Sequence, residues 1–114
     1  DRVGVSISMS HVMSHKFDEF CSIFVVLEPG DVYDGEAADI PGGRYLTLRY
    51  CGTHTQSSVY YEKLLSEMKE RGYELAGNSI EITLVDAGMT NDTTQFVTEL
   101  QLPVTVGQEY GLRN

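Results

Sequence analysis

The chain has 114 residues, enough for one domain, and its 41% apolar and 22% charged residues form an ordinary globular balance. A formal net charge of −9 excludes the basic stripe that a nucleic-acid surface needs and favours cationic over anionic partners. Two cysteines, Cys21 and Cys51, lack C-x-x-C spacing and read as free core thiols, and with no apolar run long enough to span a bilayer the expected location is cytoplasmic.

In chain order, Val3, Val5, Ile7 and Met9 alternate with Gly4, Ser6 and Ser8, which predicts a half-buried strand. His11 to Lys16 is polar and reads as a loop or a single helical turn. Phe20 to Leu27 is a near-continuous apolar run, the pattern of a central strand covered on both sides. Pro29-Gly30 ends it, and Asp31 to Gly43 reads as an acidic surface loop. Arg44 to Cys51 alternates again, with Leu46, Leu48 and Tyr50 opposite Tyr45, Thr47 and Arg49.

Gly52 breaks that strand, and Thr53 or Thr55 can cap a helix after it. Gln56 to Arg71 is the one strong helix: Tyr61, Leu64, Leu65 and Met68 form its apolar stripe. Glu67 and Arg71 make an i,i+4 pair, and Gly72 supplies the stop. Ile80 to Val85 predicts a strand with Ile80, Ile82 and Leu84 opposite Glu81 and Thr83. Asp86 to Thr94 is turn-rich. Gln95 to Val104 is the last strand, with Phe96, Thr98, Leu100 and Leu102 on one face and Val97, Glu99 and Gln101 on the other. Residues 1–104 thus form the domain, and 105–114 read as a loose tail. The pattern is α+β: an antiparallel sheet with one main helix.

Glu99 stands out because it interrupts an apolar strand, and a carboxylate buried in a sheet costs several kcal/mol unless it is compensated. No Lys or Arg lies near it in sequence, so its partner is either a distant part of the fold or a cationic ligand. Glu81 takes the matching off-face position of the preceding strand. If the two strands pair, the two carboxylates can approach each other, for acid/base work or to hold a cation. The plain alternative is that both face solvent. Tyr60, Tyr61, Tyr45 and Tyr50 can supply an aromatic wall for a lipophilic cation, or ordinary core packing. His11 and His15 have the spacing of a helical metal pair, but no Glu or Cys completes a site around them. Cys51 with His54 resembles a thiol nucleophile only superficially, and a buried strand cysteine is the plainer reading. There is no phosphate-binding loop, serine-nucleophile or dinucleotide motif, so no cofactor or metal is expected.

Gly43-x-Tyr45, a strand ending in Gly52, the Tyr61-x-x-Leu64 helix, Gly72-Tyr73, Gly77, Ile80-Glu81-Ile82 and Thr98-Glu99-x-Gln101-x-Pro103 succeed one another in a telling order. Together they resemble the second half of GyrI-like effector-binding domains, above all those of MerR-type multidrug-sensing transcription activators. Asp1 to Leu27 is similar to the linking strands of that group, so the resemblance covers residues 1–104. It implies a duplicated β-α-β-β fold, here with an incomplete first unit, and a ligand cavity between the halves with an acid at its base and aromatic rings around it. By position it assigns the acid to Glu99, with Glu81 second, and the aromatic wall to Tyr61 and Tyr45. Thr83 completes the expected ligand-binding set.

The function so implied is binding of lipophilic or aromatic cations as the sensor of a transcription regulator, with DNA reached only through another domain. Two alternatives stand beside it. One is a GyrI-like hydrolase of small electrophilic compounds, with Glu99 as base and Tyr61 as acid. The other is a protein-binding module like the family's gyrase-inhibiting members. The chain starts at Asp1 without a methionine, as a processed or excised piece would. The strand and helix missing from its first unit would leave an unpaired edge beside Val3–Met9, which predicts a two-fold homodimer.

Overall fold

Strand β1 (Arg2–Ser6) leads into helix α1 (Met9–Met13), β2 (Ser22–Val25) and β3 (Tyr45–Cys51), and helix α2 (Ser57–Glu70) comes next. After it lie β4 (Tyr73–Leu75), β5 (Ile80–Leu84) and β6 (Val97–Val106). These elements come from a computed structural model that describes residues 2–26, 42–53, 56–84 and 96–106. The sheet is antiparallel, in the order β2-β1-β5-β6-β3, and β4 pairs with the far end of β6. The architecture is α+β with one main helix, as the patterning predicts.

β6 organises the sheet because it is the longest described strand, ten residues, and its burial alternates from Val97 to Val104. It pairs with β5 from Leu84↔Val97 to Ile80↔Gln101, with β3 from Cys51↔Val97 to Tyr45↔Pro103, and with β4 from Leu75↔Val104 to Tyr73↔Val106. Thr98, Leu100, Leu102 and Val104 are buried on its helix-side face. The register places Leu46, Leu48 and Tyr50 of β3 and Glu81 and Thr83 of β5 on that same face. Val3 and Val5 of β1 join them opposite Thr83 and Glu81. α2 covers this face with Tyr61 and Leu64, and the core closes through Ile7, Val12, Phe17 and Leu75. Each fully buried leucine here contributes about 1.5–3 kcal/mol relative to exposure.

Several elements differ from the sequence reading. β1 stops at Ser6, and Met9, expected in the strand, opens α1. Ser8 caps that helix by accepting from the His11 amide, and the Asn78 side chain accepts from the Met9 amide, so local polar groups end the strand. Among the described strands β2 is an outer strand of the sheet, with β1 as its partner, not a central one. Ile23 and Val25 stand exposed on the helix-side face, while Phe24 lies over Gly4 on the other. An apolar run shows only that a strand lacks polar residues; whether anything covers it is decided by the rest of the fold. The unpaired edge expected beside β1 is therefore occupied by β2. Cys21 and Cys51 are free but exposed rather than core thiols.

α2 begins with Gln56 at its N-cap, which makes no capping bond. The amide of Thr53 instead donates to the Gln56 side chain. β4 escapes the sequence reading because three residues are too few to show a period. Thr105 and Val106, read as tail, complete β6 against β4. Residues 31–41 of the acidic loop, the turn at 86–94, Thr55 and the tail from 107 lie outside the described residues.

The helix end agrees with expectation. Arg71 Nε donates to Glu67 at 2.6 Å, and Gly72 adopts a positive φ of 72°. A side chain at that φ is strained, so Gly72→Ala should lower stability by about 1 kcal/mol. Urea unfolding checks this: the midpoint should fall while the slope stays unchanged.

Candidate functional site

A buried hydrogen-bonded chain runs beneath α2 and ends on Glu81. The Glu81 side chain is fully buried on the helix-side face of β5. Tyr61, one turn into α2 and equally buried, donates its hydroxyl to Glu81 Oε2 at 2.6 Å. Ser79 Oγ lies 2.6 Å from the same hydroxyl. Tyr61 has a single hydroxyl hydrogen and gives it to Glu81, so the Ser79 hydroxyl donates to Tyr61. Ser79 Oγ in turn accepts from the Ile7 amide at 2.9 Å, and Ser6 Oγ donates to the Ser79 carbonyl at 2.5 Å. Beside this chain, Thr98 donates to the Gly52 carbonyl at 2.8 Å, which leaves Thr83 to donate to Thr98 at 2.7 Å.

Two aromatic stacks lie on the same side of the sheet as the carboxylate. Phe17 stacks on Tyr61 with centroids 4.6 Å apart, and Tyr50 stacks on Tyr60 at 4.0 Å. Lys63 Nζ stands 5.4 Å from the Tyr60 centroid, within cation–π reach. Burial, and after it the nearby charge of Glu81, push the Tyr61 phenol well above the ordinary tyrosine range. The same two causes raise Tyr50. Both phenols therefore keep their protons near neutral pH and act as hydrogen-bond donors.

Of the residues singled out from sequence, Glu81, Tyr61 and Thr83 meet on the helix side. Glu99 and Tyr45 lie on the opposite face, opposite Ile82 and Pro103. The expected approach of the two carboxylates does not occur. Glu81 pairs with Leu100 rather than Glu99, and neighbouring positions of a strand point to opposite faces. Glu99 accepts from Arg49 Nε at 2.6 Å and from Gln101 Nε2 at 2.6 Å. Arg49 is its cross-strand neighbour on β3, fifty positions away in sequence, which is why no local charge pattern reveals it. The Arg49 side chain is 76% exposed, so the pair contributes about 0.2–1 kcal/mol.

Sequence reasoning misses Ser79 and Phe17, and favours Tyr45 over Tyr50. The alternation of β3 holds the signal for Tyr50, because Leu46 and Leu48 share its face. His15 and His11 do not act together: His15 Nδ1 lies 2.9 Å from both Glu62 oxygens, and His11 Nε2 lies 3.8 Å from Glu19. Among the described residues no three His, Cys, Asp or Glu side chains are grouped to hold a metal ion. No described helix is long and apolar enough to cross a membrane.

The family model of the GyrI-like small molecule binding domain matches residues 4–105, a span that holds the whole of this hydrogen-bonded chain. No curated protein matches the sequence.

The Tyr61 phenol has a predictable alkaline signature. Its folded pKa lies above the ordinary 10.0, so the stability it contributes is full below about pH 10 and is lost as pH rises above that value. Tyr61→Phe should cost about 1–3 kcal/mol near neutral pH, because Glu81 loses a buried donor. It should also flatten the alkaline decline of the urea midpoint. A variant as stable as the parent, with an unchanged alkaline decline, would show that this hydrogen bond contributes nothing to the fold.

Proposed function

The chain belongs to the GyrI-like small molecule binding family, and on that premise we propose that it takes lipophilic or aromatic cations at Glu81, as the sensor domain of a transcription regulator. The observation that carries this reading is a fully buried carboxylate with a tyrosine hydroxyl on it and two aromatic stacks on the same side of the sheet. A cation that reaches Glu81 exchanges the Tyr61 hydrogen bond for a charge-charge contact. Away from water such a contact is stronger than at the surface. Each ring face that it meets adds about 0.5–2 kcal/mol. The net charge of −9 raises the local concentration of cations. A site that accepts many shapes trades fit for breadth, so micromolar affinity, about −8 kcal/mol, is expected.

Tyr61 belongs to α2, so a ligand that takes its place on Glu81 acts on the main helix, the natural lever toward an attached DNA-binding domain in the cytoplasm. Glu99 is set aside as the acid because it is tied to Arg49 on the other face. For the same reason a hydrolase would have to use Glu81 as base with Tyr61 as acid. The 2.6 Å contact supports that second reading. The raised phenol pKa favours binding over turnover, since a good general acid ionises near the working pH. Self-association belongs to the same proposal: exposed Ile23 and Val25 offer a two-fold partner apolar surface.

Calorimetry with an aromatic quaternary ammonium dye and its neutral isostere tests the site. The cation should bind at least tenfold more tightly, about 1.4 kcal/mol. Glu81→Gln should keep the fold and abolish that preference, while Glu99→Gln should leave it intact. Equal affinities for the two compounds, or loss of preference in the Glu99 variant alone, would overturn the assignment to Glu81. Turnover of an electrophilic ester that disappears in both Glu81→Gln and Tyr61→Phe would favour the hydrolase.

A further inference from the structure

On the far side of the sheet from β2, a groove of about 480 Å³ lies between β3 and α2. Leu46, Leu48 and Leu64 form its apolar floor, and Lys63, Glu67 and Arg71 form its rim along α2. β3 ends the sheet order here, so its outer edge borders this groove. The ladder to β6 tells which backbone groups that edge presents. Val104 N–H donates to the Arg44 carbonyl, and Gly52 N–H donates to the Phe96 carbonyl. Hydrogen-bonded pairs alternate along an antiparallel ladder, so the even-numbered residues of β3 turn their N–H and C=O groups toward β6. Thr47 and Arg49 turn theirs outward, and no described strand pairs there.

We propose that this edge is a docking site for an extended segment of a partner protein. The segment adds as a further strand beside β3 and lays an apolar residue, flanked by two carboxylates, into the groove. Strand addition supplies backbone hydrogen bonds, and alternate side chains supply specificity. The charges select the occupant. The rim carries Lys63 and Arg71 against the single acid Glu67, which already holds Arg71 Nε at 2.6 Å, so one net positive charge remains on a chain of formal charge −9. Lys63 on α2 and Arg71 at its C-cap are eight positions apart, about 12 Å along a helix. Residues i and i+4 of an extended strand share a face and stand about 13 Å apart. Acids at those two positions with a valine between them therefore match both cations and the leucine floor. A second copy of this chain fits poorly. A two-fold pairing of β3 with itself brings two copies of the same net-positive rim together. The proposal is independent of the Glu81 site.

The probe is a blocked peptide, Thr-Glu-Thr-Val-Thr-Glu-Thr, added to the full chain and followed by amide hydrogen exchange. At saturation the Thr47 and Arg49 amides should exchange about tenfold more slowly. The same peptide with lysine in place of glutamate, or with alternate amides N-methylated, should not protect them. Lys63→Gln with Arg71→Gln should weaken binding about three- to tenfold. Thr47→Pro removes one outward donor without touching the β6 ladder, and should abolish binding while the Leu100 and Leu102 amide signals stay in place. Unchanged exchange at Thr47 and Arg49 would overturn the proposal, as would equal binding of the lysine peptide. Protection of those amides that rises with protein concentration alone would give the edge to a second copy and overturn it too.

Discussion

Pairing Glu81 with Leu100, one position away from Glu99, decides which carboxylate lies beneath the helix. Side chains of a strand alternate, so a shift of one residue would exchange the two faces of β5. Glu81 and Thr83 would then leave the interior, and Ile80 and Ile82 would enter it. The buried chain from Ile7 through Ser79 and Tyr61 would lose its acceptor. Everything proposed for the Glu81 site therefore rests on a strand register held by β6, whose other side is fixed by seven pairs to β3.

The two acids also show how environment assigns roles to identical chemistry. Glu99 sits on a half-open face, where Arg49 and Gln101 satisfy it at little net gain. Glu81 lies where water does not reach, and removal from water is costly for a carboxylate. That cost is offset only where hydrogen bonds replace water, and the Tyr61 hydroxyl supplies one of them. The tyrosine that faces it answers to the same environment: burial holds its proton on, so the donor is always ready.

Much of the fold is legible in the sequence. The Tyr61–Leu64 stripe marks α2 and Gly72 closes it, and the alternation of β3, β5 and β6 sorts the right residues onto each face. What alternation cannot say is which of two faces meets the helix. In β5 the apolar set, Ile80 and Ile82, lies on the far face, against the usual rule, and the polar set lies inside. The partner of Glu99 is legible only in part: the strand at 44–51 offers Arg44 and Arg49 as cations, and the β3–β6 register selects Arg49. The family resemblance supplies a pocket with an acid and rings. It does not supply the choice between two acids one position apart in register, and position along the chain alone favours Glu99.

The Ser79 link carries a consequence for how the domain assembles. Its partners Ser6 and Ile7 lie more than seventy positions away along the chain. Contacts of such separation demand closure of a long loop and form late in folding. The half made of β3, α2, β5 and β6 can gather from nearer contacts, whereas the last donor in the line toward Glu81 arrives only when β1 docks. By the same logic, an opening of the β1–β2 margin that leaves the rest of the sheet intact removes the Ile7 amide from Ser79 and loosens the hydroxyl that steadies Tyr61. The order of the Tyr61–Glu81 pair is thus tied to a peripheral unit of the sheet.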